Sequence, residues 1–316
     1  MKTERLTPDP DGIARAAELL AAGQTVAMPT ETVYGLAGDA RNGRAVARIF
    51  ESKGRPGFNP LIVHVPDLAA ARDIASFGDE ALILAQTFWP GALTLVLDLH
   101  ATSDIAPLVT AGLDTVGIRL PDHPAARALL KRFGGPLAAP SANVSGRVSP
   151  TSADHVLDPD GGLAGRIAAV LDAGPCPVGV ESTIVGWPNG RATLLRPGGI
   201  PAEAIEAAIG HKLIAPSIDP DRPSAPGQLT SHYAPNVALR LNAAAPRPDE
   251  TFIAFGAPGR FSLSQHGDLT EAAANLFDTL RRADREGRPI AVAPVPEHGL
   301  GAAINDRLRR AAAPRD

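Results

Sequence analysis

GIARAAELLAAGQTVAMPTETVYGL, residues 12–36, decides the fold class. Residues 12–22 space their apolar side chains as a helix and stop at Gly23, and 24–28 (QTVAM) change to a short apolar strand. A strand ending in the polar cluster PTETVYGL, 29–36, is how open α/β sheets present ligand-binding groups. The same cluster also suits a plain turn into a second helix, with Thr30 as its N-cap.

The alternation continues outward from there. Strands are expected at 61–65 (LIVHV), 92–98, 115–120, 136–140, 167–171, 181–187 and 192–196, with helices at 43–52, 67–75, 79–88, 123–132, 151–157 and 201–209. This is an α/β domain, and the strand successions near 92–120 and 181–196, with no helix between them, predict a mixed sheet. After Gly210 the periodicity fails, and the proline-rich stretch 211–235 is expected to be a linker. Strands at 236–242, 251–256 and 289–295 with helices at 269–286 and 301–312 predict a second, small α/β unit. The expected division is therefore 1–210, 211–235 and 236–316.

Composition narrows the function. The 316 residues are 44% hydrophobic, enough for a real core, and 31 glycines with 31 prolines make the chain loop-rich. The net charge is -4, with 19 basic and 24 acidic side chains in 1–239 and 11 and 10 in 240–316. No global positive field draws it to nucleic acid or anionic membrane, so a polyanion needs a local site. That balance argues against an RNA-binding module. Cys176 is the single cysteine, which fits a reducing compartment, and MKTERLTPDPDG has no export pattern; a cytoplasmic location is expected. P-loop, zincin, nucleophile-elbow and Cys-x-x-Cys motifs are missing from the sequence, and no metal site is expected.

Four polar clusters remain. The first is PTETVYGL. The second, KGRPGFNP at 53–60, places Lys53 and Arg55 on a loop stiffened by Pro56 and Pro60, in a chain with only four lysines. It is either a basic turn or a phosphate site. The third, PLAAPSANVSGRVSPT at 136–151, offers Ser141, Ser145 and Ser149 in a loop entering a helix, where Ser149 or Thr151 could be the cap. The fourth joins GVESTIVGW, 179–187, to LLRPGG, 194–199, combining Ser182 and Thr183 with Arg196. Thr115 and Arg119 share one face of TVGIRL by the period of two, and His64 sits inside LIVHV. Without a nucleophilic triad or a paired acid and base, these clusters suit binding and charge neutralisation, as phosphoryl or nucleotidyl transfer requires.

Together these segments resemble the threonylcarbamoyl-AMP synthase family, the YrdC-like domain in its long form with an additional C-terminal domain. PTETVYGL, Lys53 to Leu61 as K-x-R-P-x-x-N-P-L, WPGALTLVL, TVGIRLPDHP, APSANVSG, ESTIV and LRPG occur in family order. SHYAP at 231–235 and GLGAAINDRLRRAA at 299–312 extend the likeness to the long form. The resemblance implies a twisted open sheet with a concave positive cavity, plus a small Rossmann-like C-terminal domain. It implies the reaction of L-threonine, bicarbonate or CO2, and ATP to L-threonylcarbamoyl-AMP and pyrophosphate, feeding tRNA threonylcarbamoyladenosine synthesis, with Mg2+ brought by ATP.

Carried onto matching positions, Lys53, Arg55, Ser141 and Asn143 are the catalytic tetrad. Thr32, His64, Arg119, Ala139 (by its backbone) and Ser182 are the implied threonine contacts. Arg55, Asn59, Thr115, Ser141, Ser149, Arg196 and Tyr233 are the implied ATP contacts, with Tyr233 folding back from the linker as part of a lid. The expected partners are the small-molecule substrates and a transferase that receives the adenylate. The chain departs from the family at Gln228, Leu229 and Thr230, at Gly186 and at Asp306. The alternative enzyme is a carbamoyl-adenylate-forming relative of the hydrogenase maturation type, whose acylphosphatase and zinc-finger segments this sequence does not contain.

Overall fold

The computed structural model describes residues 2–57, 59–216, 225–227 and 231–314. The chain starts with strand β1 (Glu4–Leu6) and helix α1 (Pro10–Ala21). Asp9 caps α1 by accepting the Gly12 amide at 2.8 Å, and Pro10 occupies the first turn, where its missing N–H costs nothing. Strand β2 (Val26–Met28) follows, buried throughout.

The cluster after β2 does not enter a helix. Thr30 Oγ1 donates to the Val33 carbonyl at 2.6 Å and accepts the Thr32 and Val33 amides at 3.2 Å, closing a hydroxyl-centred turn. The chain then returns antiparallel to β2 as β3 (Gly35–Asp39). Thr, Val, Tyr and Gly are weak helix formers, and pairing with β2 satisfies the backbone that a helix would otherwise have to.

Helix α2 (Gly43–Lys53), capped by Asn42, ends at Gly54, whose φ of 59° is the left-handed conformation glycine adopts without strain. Next come β4 (Ile62–His64), α3 (Leu68–Ile74), α4 (Asp79–Phe88), β5 (Leu93–Asp98), α5 (Pro107–Thr110), β6 (Thr115–Arg119), α6 (Pro124–Phe133) and β7 (Leu137–Ala138). The half closes with α7 (Ala153–Val156), β8 (Ala169–Leu171), β9 (Thr183–Gly186), β10 (Thr193–Arg196) and α8 (Ala202–Ile209). The expected strand over 136–140 is only two residues long because prolines 136 and 140, which have no N–H, bound it. The short helix α5 lies between β5 and β6, where none was expected. Ser152, not Ser149 or Thr151, caps α7 by accepting the His155 amide, since Ser149 is engaged elsewhere.

These ten strands form one sheet in the order β1-β8-β2-β3-β7-β4-β6-β5-β9-β10, with parallel and antiparallel neighbours interleaved as the sequence predicted. The remaining elements are β11 (Leu239–Arg240), β12 (Thr251–Ala254), β13 (Phe261–Ser262), α9 (Leu269–Asp284), β14 (Ile290–Val292) and α10 (Gly301–Ala312). Their sheet, β11-β14-β12-β13, is parallel throughout.

The larger core packs β3–β6 against α2 and α4, and the second core, under α9 and α10, also takes in Val33, Val148, Val180 and Tyr233. The two sheets are thus joined by shared apolar packing. Gly179, at φ 77°, makes the closest approach: a Cβ there would stand 2.3 Å from the Ala273 carbonyl of α9. Arg281 Nη2 donates to the Val148 carbonyl, and His155 Nε2 meets Asp278, so polar contacts ring the same junction. Among the described residues no helix is long and apolar enough to cross a membrane.

Candidate active site

The sheet brings strand ends and loops together around a narrow cavity of about 50 Å3. Its walls include Thr30 and Thr32 after β2, Arg55 after α2, His64 on β4, Arg119 on β6, and Ala139 and Ser141 after β7. Glu181 and Ser182 before β9 and Arg196 on β10 complete that half, and Pro226, Gly227, His232 and Tyr233 close it over. Residues scattered over two hundred positions therefore face one space: most of the wall lies at strand ends of the same sheet, Arg55 follows α2, and the cover comes from the chain after α8.

One side carries two buried guanidiniums hydrogen-bonded to neutral oxygens. Arg55, buried, donates to the Asn59 carbonyl at 3.3 Å and the Pro60 carbonyl at 3.0 Å. Arg196 donates to the Ser182 carbonyl at 2.8 and 3.1 Å, to Ser182 Oγ at 3.1 Å and to the Pro226 carbonyl at 3.2 Å. Both sets of partners are neutral oxygens. Burial, with Arg196 nearby, lowers Arg55 to about 10, and burial lowers Arg196 as well. Two cations held dry beside neutral acceptors favour an anionic ligand, because an anion returns what desolvation cost.

Lys53 stands behind the Ser141 wall. Its Nζ donates to the Ser141 carbonyl at 2.5 Å and the Asn143 carbonyl at 2.6 Å, tying the end of α2 to the serine loop. Burial, then Arg55, pushes its pKa well below the ordinary lysine value, and Glu181 opposes the shift. Asn143 Nδ2 donates to the Val144 and Arg147 carbonyls, so that this loop is held from within. Asn59 Oδ1, Asn143 Oδ1 and His232 Nδ1 are buried with no hydrogen-bond partner among the described residues.

The other side is organised by Arg119. Its Nη1 donates to Thr32 Oγ1 at 2.9 Å, Nη2 to Glu31 Oε1 at 2.5 Å and Nε to the Gly91 carbonyl at 3.3 Å. Ser182 Oγ lies 2.7 Å from Thr94 Oγ1. His64 Nδ1 faces the Ile62 carbonyl at 3.3 Å, so Nδ1 carries the proton and Nε2 is left as an acceptor.

Burial and then Arg119 lower His64 to about 3, so it is neutral in the folded chain above that value. An unfolded histidine titrates near 6.5. Between those values the unfolded chain binds a proton the folded one does not, so stability falls as pH drops from 6.5 towards 3. At pH 5 this amounts to about 2 kcal/mol for His64. Thermal unfolding from pH 7.5 to 5 should show the wild type losing more stability than His64→Leu; equal losses would contradict it.

Thr115 is not among the residues around this cavity. It shares a face of β6 with Arg119, but four residues along a strand is about 13 Å, and it lines a small neighbouring hollow with Pro226 and Thr94. Lys53, Asn59, Asn143 and Ser149 are buried behind the lining, and Ser149 Oγ donates to Glu181 Oε1 at 2.5 Å. Sequence reasoning gave no role to Glu31, Glu181, His232 or Arg307. Glu31 and Glu181 stood inside quoted motifs, and a carboxylate beside an expected anion site was the available signal. Gln228, Leu229 and Thr230 lie outside the described residues. A larger cavity of about 640 Å3, lined by Asp79, Glu80, Asp98 and Thr115, has no cation in its lining among the described residues.

A mixed ten-stranded sheet with buried arginines around a strand-end cavity, joined to a small parallel sheet, defines a YrdC-like α/β protein with a C-terminal domain. The family model described as Telomere recombination, covering Sua5, YciO and YrdC, matches residues 18–198, and that described as Threonylcarbamoyl-AMP synthase, C-terminal domain, matches 200–313. The threonylcarbamoyl-AMP synthase of Bacillus subtilis is 42% identical to this chain, covering 98% of it and 95% of the relative. That of Pyrococcus abyssi is 41% identical over 94% and 92%. The crystal structure of P. abyssi Sua5 complexed with L-threonine is similar at a TM-score of 0.89 and 38% identity, covering 99% of this chain and 98% of that one. The chain belongs to the threonylcarbamoyl-AMP synthase family, in its two-domain form.

Proposed function

We propose that this chain makes L-threonylcarbamoyl-AMP and pyrophosphate from L-threonine, bicarbonate or CO2, and ATP, the first step towards tRNA threonylcarbamoyladenosine. The observation that carries the reading is the pair Arg55 and Arg196, buried cations whose hydrogen-bond partners among the described residues are all neutral, opposite the Arg119–Thr32–His64 wall. Threonine's carboxylate pairs with Arg119, and its amine adds to CO2, losing a proton as the N–C bond forms. A carbamate oxygen then attacks the α-phosphorus of ATP; the new O–P bond replaces the bond to the β-phosphate, and pyrophosphate leaves. Arg55 and Arg196 offset the charge that grows on the phosphates, while Lys53 fixes Ser141 and Asn143 against them. Ala139 and Ser182 complete the threonine wall, and Asn59, Ser149 and Tyr233 complete the nucleotide side.

Mg2+ would come with ATP. Glu181, the carboxylate in the cavity's lining among the described residues, has both oxygens engaged, by Ser149 and Arg307, so the phosphates and water would hold the ion. Residues 1–210 are the catalytic unit, 211–235 the lid and 236–316 the unit on which the lid rests. Cys176, whose thiol burial pushes up to about 12, is unreactive and suits a cytoplasmic enzyme. The adenylate passes on to a transferase. The experiment is pyrophosphate release by purified protein with and without threonine and bicarbonate: release equal without threonine would end this reading.

A cavity of about 50 Å3 is far below the several hundred Å3 of ordinary ligand pockets. Room for ATP is made when the cover at Pro226, Gly227, His232 and Tyr233 withdraws, and its return keeps water from the labile carbamate. Tyr233, at φ 62°, packs between His232 and Phe277. Tyr233→Ala should raise the ATP consumed per adenylate recovered by about fivefold or more, as a gating loss. An unchanged ratio would remove the lid.

A further inference from the structure

We propose that Arg307, on α10 of the C-terminal unit, is a positioning residue of the active site. It neutralises and orients Glu181, through Glu181 it sets Ser149, and by direct contact it seats Tyr233 for the nucleotide. This rests on the nucleotide reading of the cavity. Arg307 has no exposed surface. Its Nε donates to Glu181 Oε2 at 2.9 Å, and its Nη1 donates to the Pro197 carbonyl and to Asp306 Oδ2, each at 2.8 Å. The guanidinium lies 5.3 Å from the centre of the Tyr233 ring, a cation–π contact. Glu181 Oε1 takes the Ser149 hydroxyl. One side chain, 126 positions from Glu181 in sequence, thus joins a cavity carboxylate, a loop hydroxyl and the ring that covers the site.

The charges explain why the arrangement matters. Glu181 lines the space where phosphates are expected, and an uncompensated carboxylate there would both repel them and be costly to bury. Burial pushes the Glu181 carboxyl up, but Arg307, Arg196 and the Ser149 hydroxyl outweigh it, and it stays below its ordinary value. Arg307 itself is raised: burial lowers it, and the surrounding Tyr233, Glu181 and Asp306 outweigh burial. Asp306 holds Arg307 on one oxygen and Arg310 as well, and the Arg310 carbonyl accepts the His232 amide at 3.2 Å. The helix that supplies the guanidinium therefore also anchors the backbone of the cover. Docking of the C-terminal unit completes the nucleotide side of the cavity; it is more than an attachment to it.

The test uses the full chain with Arg307→Met, Arg307→Lys and the double variant Arg307→Met/Glu181→Gln. Affinity for α,β-methylene-ATP is read by calorimetry, KM and kcat by threonine-dependent pyrophosphate release, and folding by thermal melting. Arg307→Met should weaken analogue binding and raise KM for ATP by about tenfold, the scale of one lost charge-assisted contact, with the threonine KM much less affected. Arg307→Lys should recover part of this, and the double variant most of it, because the repelling charge has gone. Should Arg307→Met fail to fold, the double variant, which buries no lone charge, carries the comparison. Unchanged analogue affinity, or additive losses in the double variant with kcat and stability falling and no ATP-specific shift, would make Arg307 an interdomain strut and overturn the proposal. A wild type that does not bind the analogue would instead end the nucleotide reading itself.

Discussion

Lys53→Ala is expected to lower threonine-dependent pyrophosphate release by about 10²-fold, the scale of misplacing groups that meet the reacting phosphate. Lys53 does not stand in the open cavity: its Nζ holds the carbonyls of Ser141 and Asn143 and so sets the loop that meets the nucleotide. The substitution leaves two buried carbonyls short of a donor, at about 1–3 kcal/mol each, too little to unfold a chain with two cores. Circular dichroism of the variant should therefore match the wild type, with a lower melting temperature. Activity within tenfold of wild type would take Lys53 out of the mechanism, and an unfolded variant would make it structural.

Arg119→Ala is expected to raise the threonine KM by about 10²-fold, the loss of a buried charge pair with the substrate carboxylate, and to leave the ATP KM within a small factor. It also strands Glu31, whose oxygens accept Arg119 Nη2 and the Asp122 amide. A buried carboxylate without its partner costs about 3–5 kcal/mol, so this variant should be much less stable than Lys53→Ala. Arg119→Ala/Glu31→Gln removes that charge and should regain stability without regaining threonine affinity. If the double variant also restored the threonine KM, Arg119 would serve Glu31 and not the substrate.

Those two variants behave differently for a reason the order of residues does not contain. Lys53 and Arg119 are equally prominent cations in their motifs, but one is bound by neutral carbonyls and the other by a carboxylate. Likewise Ser149 was expected either as a cap or as an ATP contact; Ser152 is the cap, and the Ser149 hydroxyl donates to Glu181. Thr115 and Arg119 obey the period of two and still open onto different hollows, because a shared face says nothing about distance along it. The turn at Thr30 closes on itself and sends the chain back as β3, a pairing that needs β2 beside it and so cannot be seen from 29–36 alone.

The sequence by itself determined the α/β class, the mixed sheet, the small second α/β unit and the family, since periodicity, turn residues and ordered motifs are local properties of the chain. Through the family resemblance it also named Thr32, Arg55, His64, Arg119, Ala139, Ser141, Ser182, Arg196 and Tyr233, which line the cavity. Only the tertiary structure decided which charges are paired, that His232 and Tyr233 sit over the cavity, and that Arg307 reaches Glu181 from 126 positions away. Those depend on how two cores pack against each other, and burial makes each ionic partner matter in a way that no count of charges along a chain expresses.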